Sequence, residues 1–431
     1  MFGGVFIVGR QASGSPPPFG LKDTMTSTIA PPVTPARVRA ATTATYAAFI
    51  GSGFAFASWA SRIPQVRDRL DLDASALGLV LLAIAAGSML ALPLSGPVVA
   101  RIGSSRTVMV MAVLLGVGLT AAALGSLTGV VPVVIGLFVL GFANGAWDVG
   151  MNVQGTVVER HLGRSIMSRF HAGFSLGTVA GALLGAAMVA LHVPVPVHLT
   201  GVAVLVVAGV VWQARRFVAD HDDAEPDPAV EPPRGGALAA WREPRTLLIG
   251  VFVLAFSFAE GVGNDWISVA AIDGHHVSAA LGTLTFAAFL SAMTIGRWFG
   301  PALLDRHGRT RVVRVLAVIG IAGVALFVFG PSPVHAFAGT MLWGLGASLG
   351  FPVGMSAGGD DPRRAAGRVS VIASIGYCAF LSGPPVIGFL GDHLTVLRAL
   401  TVVAVLLGLA TLLAGTVRPL PTARSEAPLP K

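Results

Sequence analysis

Residues 279–330 read AALGTLTFAAFLSAMTIGRWFGPALLDRHGRTRVVRVLAVIGIAGVALFVFG. Two apolar runs, each near the roughly 20 residues that a bilayer-crossing helix needs, flank one short turn. That turn concentrates Asp305, Arg306, His307, Gly308, Arg309, Arg311 and Arg314. Runs of this length are too long for strands, and a soluble helix would show a charged face. The unit reads as a helical hairpin with lipid-facing arms and a basic loop. A shorter echo stands 205 residues earlier, where Arg101-x-Gly103 matches Arg306-x-Gly308.

Working outward, the rest of the chain repeats the pattern. Of 431 residues, 54% are hydrophobic and only 12% charged, against about 25% charged in an ordinary soluble domain. Twelve stretches qualify as spans: 40–61, 75–99, 107–127, 130–153, 169–190 and 198–213, then 246–270, 279–303, 312–330, 335–357, 369–390 and 394–416. The 198–213 stretch is short and borrows from its neighbours. With both termini cytoplasmic, 24 of the 29 Lys and Arg fall on the cytoplasmic side. Arg62, Arg67, Arg69 and Arg398 fall on the other, and Arg297 lies inside a span. The positive-inside rule selects that orientation. The net charge of +8 is dispersed between apolar runs, which argues for basic loops and against nucleic acid. The one cysteine, Cys378, excludes a disulfide within the chain and reads as a small buried residue.

The chain divides into a tail at 1–39, a six-helix half at 40–213, a polar linker at 214–245, a second half at 246–416 and a tail at 417–431. The tail is rich in Pro and Ser and is expected to be disordered, with Met25 a plausible start. The linker carries Asp220, Asp222, Asp223, Glu225, Asp227 and Glu231. The halves resemble each other. Val149-Gly150-Met151 recurs as Val353-Gly354-Met355, 204 residues on, and Phe54-x-Phe56-Ala57 recurs as Phe256-x-Phe258-Ala259, 202 residues on. Two pseudo-symmetric six-helix halves on one polypeptide also read as a monomer.

Gly300-x4-Asp305-Arg306-x-Gly308-Arg309 resembles the loop signature of the major facilitator superfamily. The copy after the second span keeps Gly96, Arg101, Gly103 and Arg106 but has Ala100 where the acid belongs. Three further stretches are similar to the YbjJ/MosC-like branch: Phe56 to Pro64 at the end of the first span, Asn144 to Gln154 in the fourth, and Phe170 to Gly177 opening the fifth. The seventh span adds Glu260-Gly261 and Asp265-Trp266. The resemblance covers roughly 40–416. It implies an all-α membrane fold of twelve helices, alternating access and transport of a small molecule. It also implies that Asp305, Arg306, Gly308 and Arg309 gate by holding helix ends together in one conformation.

Charged and polar side chains inside spans mark candidate sites, because lipid rejects them. Asp148 shares a helix face with Asn144 and Asn152 at i−4 and i+4. By the 204-residue offset, the second half has Ser348 and Pro352 where the first has Asn144 and Asp148. Glu260 sits deep in the seventh span with Asn264 at i+4, and its repeat position holds Ser58. A carboxylate there is costly when charged and cheap when protonated. Glu260 is therefore the first candidate for proton coupling and Asp148 the second, with an ion pair to Arg297 or Arg62 as the alternative role for Glu260. Asp265 beside Trp266 reads as an aromatic belt. Trp59, Arg62, Asn144, Asn152, Asn264 and Arg297 are candidates for binding a polar solute. His171 opens the fifth span, is placed to hydrogen-bond Asn152 or Asp148, and is a further gating candidate. Gly173, Gly177, Gly181 and Gly185 form a close-packing face.

The sequence reads as a secondary transporter for a sugar-, cyclitol- or amine-like solute in the inner membrane, coupled to protons and embedded in lipid. A drug or metabolite efflux antiporter and a transporter-like receptor are the alternatives. No G-x4-G-K-[ST] loop and no nucleophile–base set occur, so no enzyme, cofactor or metal is expected.

Overall fold

A computed structural model of the chain describes residues 34–164, 166–220, 239–361 and 364–420. The expectations for the N-terminal tail before residue 34, for Met25, for most of the linker and for the tail beyond 420 lie outside these residues. The first half comprises α1 (Pro35–Ala60), α2 (Ile63–Arg69), α3 (Ala74–Gly125), α4 (Val130–Leu162), α5 (Met167–Ala190) and α6 (Val195–Ala214). The second comprises α7 (Pro244–His275), α8 (Ala279–His307), α9 (Arg309–Phe329), α10 (Pro333–Ala347), α11 (Gly350–Gly358), α12 (Ala365–Leu394), α13 (Val396–Ala399) and α14 (Thr401–Leu413). Among the described residues, ten helical segments are long and apolar enough to cross a membrane. One of them, α3, is broken into two arms at Gly103, and the 26-residue α1 falls outside the ten. Splitting α3 and adding α1 turns the ten segments into twelve rods.

Several bounds differ from the sequence reading for local reasons. α1 opens at Pro35, inside the expected tail, because Thr34 caps it and proline suits a first turn. The sixth helix borrows Val195 to Val197. The tenth rod breaks between α10 and α11, where Pro352 offers no N–H to the carbonyl of Ser348. Cys378 is exposed on α12, not buried, and donates to the Ser374 carbonyl at 3.3 Å.

The internal repeat is geometric as well as sequential. Gly103 holds φ 81°, ψ 158° and Gly308 φ 78°, ψ 152°, a backbone region that only glycine tolerates. Each places a sharp corner between two membrane arms. The arms after the corners cross their neighbours backbone to backbone. A Cβ on Gly118 would stand 2.8 Å from the Gly136 carbonyl oxygen, and one on Gly323 would stand 2.8 Å from that of Gly339. The glycine ladder of α5 packs onto α1 as expected, with Gly177 against the Ile50 carbonyl and Gly181 against that of Phe54.

Across the halves, α3 packs on α12 and α5 on α8. Two ends can be told apart. One carries Pro35, Ala214, Pro244 and the close of α14, and is called here the terminal side. The opposite, far side carries α2 and the start of α3. Large side chains project outward around the bundle, Val405, Val334 and Leu412 being 70%, 76% and 79% exposed. A lipid solvent suits such a surface.

Candidate functional site

At the far side the halves are clasped. Asp392 at the end of α12 accepts from the backbone N–H of Ala74 at 3.0 Å and of Ser75 at 3.1 Å. Asp73 caps the next donor, Ala76, at 2.7 Å. The first turn of α3 is thus capped partly by its own half and partly by the other. Arg67 on α2 pairs with Asp273 near the end of α7, and the Thr283 hydroxyl reaches the Ser61 carbonyl at 3.5 Å. Every hydrogen bond and ion pair found between described residues of the two halves lies at this end.

On the terminal side of the clasp lies a central cavity of about 310 Å³, walled by both halves. α7 brings Glu260, Gly261, Asn264 and Asp265 to its surface, and α8 brings Arg297. A single nitrogen of Arg297, Nη2, bonds both oxygens of Glu260, at 2.8 and 2.7 Å. Its Nε donates to the Ser348 carbonyl at 3.3 Å, the acceptor that Pro352 leaves free one turn on. A proline at the repeat position of Asp148 therefore helps aim the arginine. The Oδ1 atom of Asn264 is buried without a hydrogen-bond partner among the described residues. Asp265 lines the same wall and carries no ion pair there. Trp266 is fully buried, so these two residues are not an aromatic belt. The exposed tryptophans are Trp212, Trp241 and Trp298, all toward the terminal side.

The first half contributes Asn144, Ser88, Thr178 and apolar side chains such as Phe56 and Phe174. Asn144 accepts from the Ser52 hydroxyl at 2.9 Å. Asp148 and Asn152 stay with each other, the Asn152 amide donating to the Asp148 carbonyl at 2.8 Å and to its carboxylate at 3.2 Å. Neither lines the cavity. His171 bonds to neither of them. It is exposed and stands edge-on to Phe49, with ring centroids 5.1 Å apart.

Trp59 and Arg62 also miss the cavity. Both are buried in the first half, 1% and 2% exposed, because the chain turns back through α2. Arg62 donates to His198 Nδ1 at 3.0 Å and to the Val193 carbonyl at 2.5 Å, tying the turn after α1 to the start of α6 and the loop before it. The sequence reading missed Tyr377, Phe380 and Pro384 of α12. Tyr377 is one of two tyrosines in the chain, and its phenol inside an apolar run was the available signal.

The loop signature is arranged differently from the expectation. Asp305 and Arg306 are exposed and bridge no described residue. The carboxylate that gathers helix ends is Asp360, beyond α11. It accepts from Arg309 at 2.6 Å and Arg245 at 3.1 Å, while Arg309 also donates to Ser356 at 2.9 Å. In the first half, where Ala100 lacks a carboxylate, Asp220 of the linker supplies one, accepting from the Ser104 N–H and hydroxyl at 2.5 Å each. At the start of α7 in the second half, Arg368 at 2.6 Å and Arg364 at 3.1 Å hold the Glu243 carboxyl below its usual range, Arg368 contributing most. Among the described residues no three His, Cys, Asp or Glu side chains gather as a metal site requires.

The family model for the Major Facilitator Superfamily matches residues 40–379. An uncharacterized MFS-type transporter of Yersinia pestis is 31% identical over 361 residues, covering 84% of this chain and 91% of its own. The membrane protein MosC of Rhizobium meliloti is 28% identical over 362 residues, covering 82% and 84%. Among solved structures, the nucleoside transporter NupG is similar in fold, with a TM-score of 0.67, 15% identity and coverage of 87% of this chain and 98% of that one.

Proposed function

The chain belongs to the major facilitator superfamily, in its MosC-like group, and from that premise we propose that it carries a small polar solute through the central cavity in step with a proton. That it is a multi-pass membrane transporter, not an enzyme, follows from the family itself. The observation that carries the finer reading is the wall of α7. Glu260 and Arg297 form an ion pair on the cavity surface, the Asn264 carbonyl oxygen has no partner there, and Asp265 stands one residue further. Unpaired polar groups beside an ion pair favour a ligand with hydroxyl or amine donors. The large share of aromatic and aliphatic side chains opposite suits a ring face, as sugars, cyclitols and cyclic amines present. NupG is a nucleoside transporter, and nucleosides are solutes of comparable polarity.

Glu260 is the proposed proton site. A proton on its carboxylate removes one partner of the pair and leaves the guanidinium for solute. The cavity, closed at the far side, is the inward-open state if the terminal side is cytoplasmic, as the basic loops suggest. The orientation is tested by cysteine labelling on a Cys378→Ala background, with Arg69→Cys reactive from outside and Arg164→Cys protected. The opposite pattern refutes it.

Substrate class is read first by a thermal-shift screen of sugars, cyclitols and amines on purified protein, since ligand binding raises stability. Coupling is then read in proteoliposomes with the hit. Glu260→Gln retains counterflow and loses accumulation driven by a pH gradient. Accumulation equal to the parent's removes Glu260 from the role and leaves Asp148.

A further inference from the structure

The terminal side of the second half holds a second concavity, of about 470 Å³, separate from the central one. Arg306, Arg309, Arg311, Arg314 and Arg418 wall it, with His307. Two of the arginines are committed: Arg309 to Asp360 and Ser356, and Arg314, through Nε, to the Thr411 carbonyl at 3.4 Å. The guanidinium groups of Arg306, Arg311 and Arg418 are exposed and make no hydrogen bond or ion pair with any described residue. The adjacent acid, Asp305, is exposed and bridges none of them.

A topological preference for basic loops does not account for this density. By the 205-residue offset, the first half matches Arg306 and Arg311 with Arg101 and Arg106, but has Ile102, Ser104 and Met109 at the positions of His307, Arg309 and Arg314. The two basic loops therefore share one pair of arginines, and the second adds Arg309 and Arg314, which hold helix ends and strengthen the positive field around Arg306 and Arg311. Directly along the same helices runs an apolar, uncovered strip. Val315 and Val318 of α9 are 52% and 53% exposed, and Leu409 and Leu412 of the abutting α14 are 39% and 79% exposed. Trp298 and Phe299, 61% and 62% exposed near the end of α8, mark the level of the membrane interface. A cationic cup therefore sits at headgroup depth above a strip suited to hydrocarbon.

We propose that this concavity binds an anionic glycerophospholipid, its phosphate held by Arg306, Arg311 and Arg418 and its acyl chains lying along α9 and α14. Guanidinium groups match phosphate oxygens in paired hydrogen bonds. Free phosphate shares the headgroup chemistry, but it makes no use of the apolar strip, so the lipid is the occupant chosen. The site is independent of the solute carried and of its coupling.

The test uses the full chain in neutral detergent, titrated separately with phosphatidylglycerol, phosphatidylcholine and inorganic phosphate. Native mass spectrometry reads bound lipid, and thermal unfolding reads stabilisation. Phosphatidylglycerol is expected to bind saturably and raise Tm, less so at high salt, while the other two leave Tm unmoved. Arg306→Gln and Arg311→Gln each weaken phosphatidylglycerol binding about fivefold, the contribution of one cation near a membrane surface. Arg398→Gln, an exposed arginine on the far side, leaves it unchanged. Equal phosphatidylglycerol affinity in parent and cup variants overturns the site. Phosphatidylcholine binding as tightly overturns the headgroup assignment, and an equal Tm rise with inorganic phosphate overturns the lipid. Should a cup variant fail to fold, the salt titration of the parent decides alone: binding indifferent to salt refutes the proposal.

Discussion

Replacing Asp392 with alanine should tip the protein towards the state open at the far side. Its carboxylate accepts two N–H groups of the first turn of α3, and it does so from the opposite half. An exposed hydrogen bond of this kind is worth about 0.5 kcal/mol net, towards the low end for such bonds. A negative charge at a helix N-terminus adds about 0.5 kcal/mol. The sum is about 1.5 kcal/mol, a roughly tenfold change in the ratio of closed to open states. Arg67→Ala removes the ion pair with Asp273, whose carboxylate is 42% exposed. Such a pair contributes about 0.2–1 kcal/mol, so this change should move the ratio only severalfold. Spin labels at Arg69→Cys and Arg398→Cys, one on each half and both exposed, report the separation by pulsed electron resonance on a Cys378→Ala background. Asp392→Ala should add a long-distance population that the parent lacks, larger than that of Arg67→Ala. Identical distance distributions in parent and Asp392→Ala would show that the shared cap does not hold the far side closed.

Gly308→Ala forces a side chain into the φ 78°, ψ 152° corner and should cost about 1–3 kcal/mol; an unchanged melting temperature in detergent refutes the strain. Gly177→Ala places a Cβ 2.2 Å from the Ile50 carbonyl oxygen, so α1 and α5 must part at about 1–3 kcal/mol, read by the same melt. Glu243→Gln should lower the melting temperature at neutral pH. Because the Glu243 carboxyl is held below its usual value of 4.5, its stabilisation is full above that value and is lost as pH falls through the lower, folded one. The gap between parent and variant should therefore close in acid, and a gap independent of pH refutes the assignment.

The architecture was legible because its cause is periodic and redundant: twelve apolar runs, basic loops and a duplicated corner at Gly103 and Gly308. Glu260, Asn264 and Arg297 were legible for a related reason, since polar groups in apolar helices have few places to go. What the sequence hid depends on which way a helix is turned. Trp59 and Arg62 look like a ligand platform until α2 folds them into the first half. Asp265 looks interfacial beside Trp266, yet helix rotation sends the carboxylate to the cavity and the indole to the core. Asp360 and Asp220 were overlooked as helix-end clasps because their partners lie 51 and 116 residues away in sequence. Pro352 carried a signal that spacing alone did not expose: a proline frees the carbonyl four residues before it, and here Arg297 takes that carbonyl.

Glu260 on α7, Arg297 on α8 and the Ser348 carbonyl all belong to the second half. Rocking of one half against the other carries the three along together and leaves their separations unchanged. The gating step and the rupture of the ion pair are then distinct elementary events, each with its own rate constant. On the proposed function, whatever parts the pair would arrive as a molecule, a proton on the carboxylate or a solute on the guanidinium. Tight stoichiometry would reside in the order of those arrivals. With Glu260 as the proposed proton site, an empty carrier whose pair stays intact would cycle without conducting a proton, and slippage would be suppressed by the sequence of events, not by a seal.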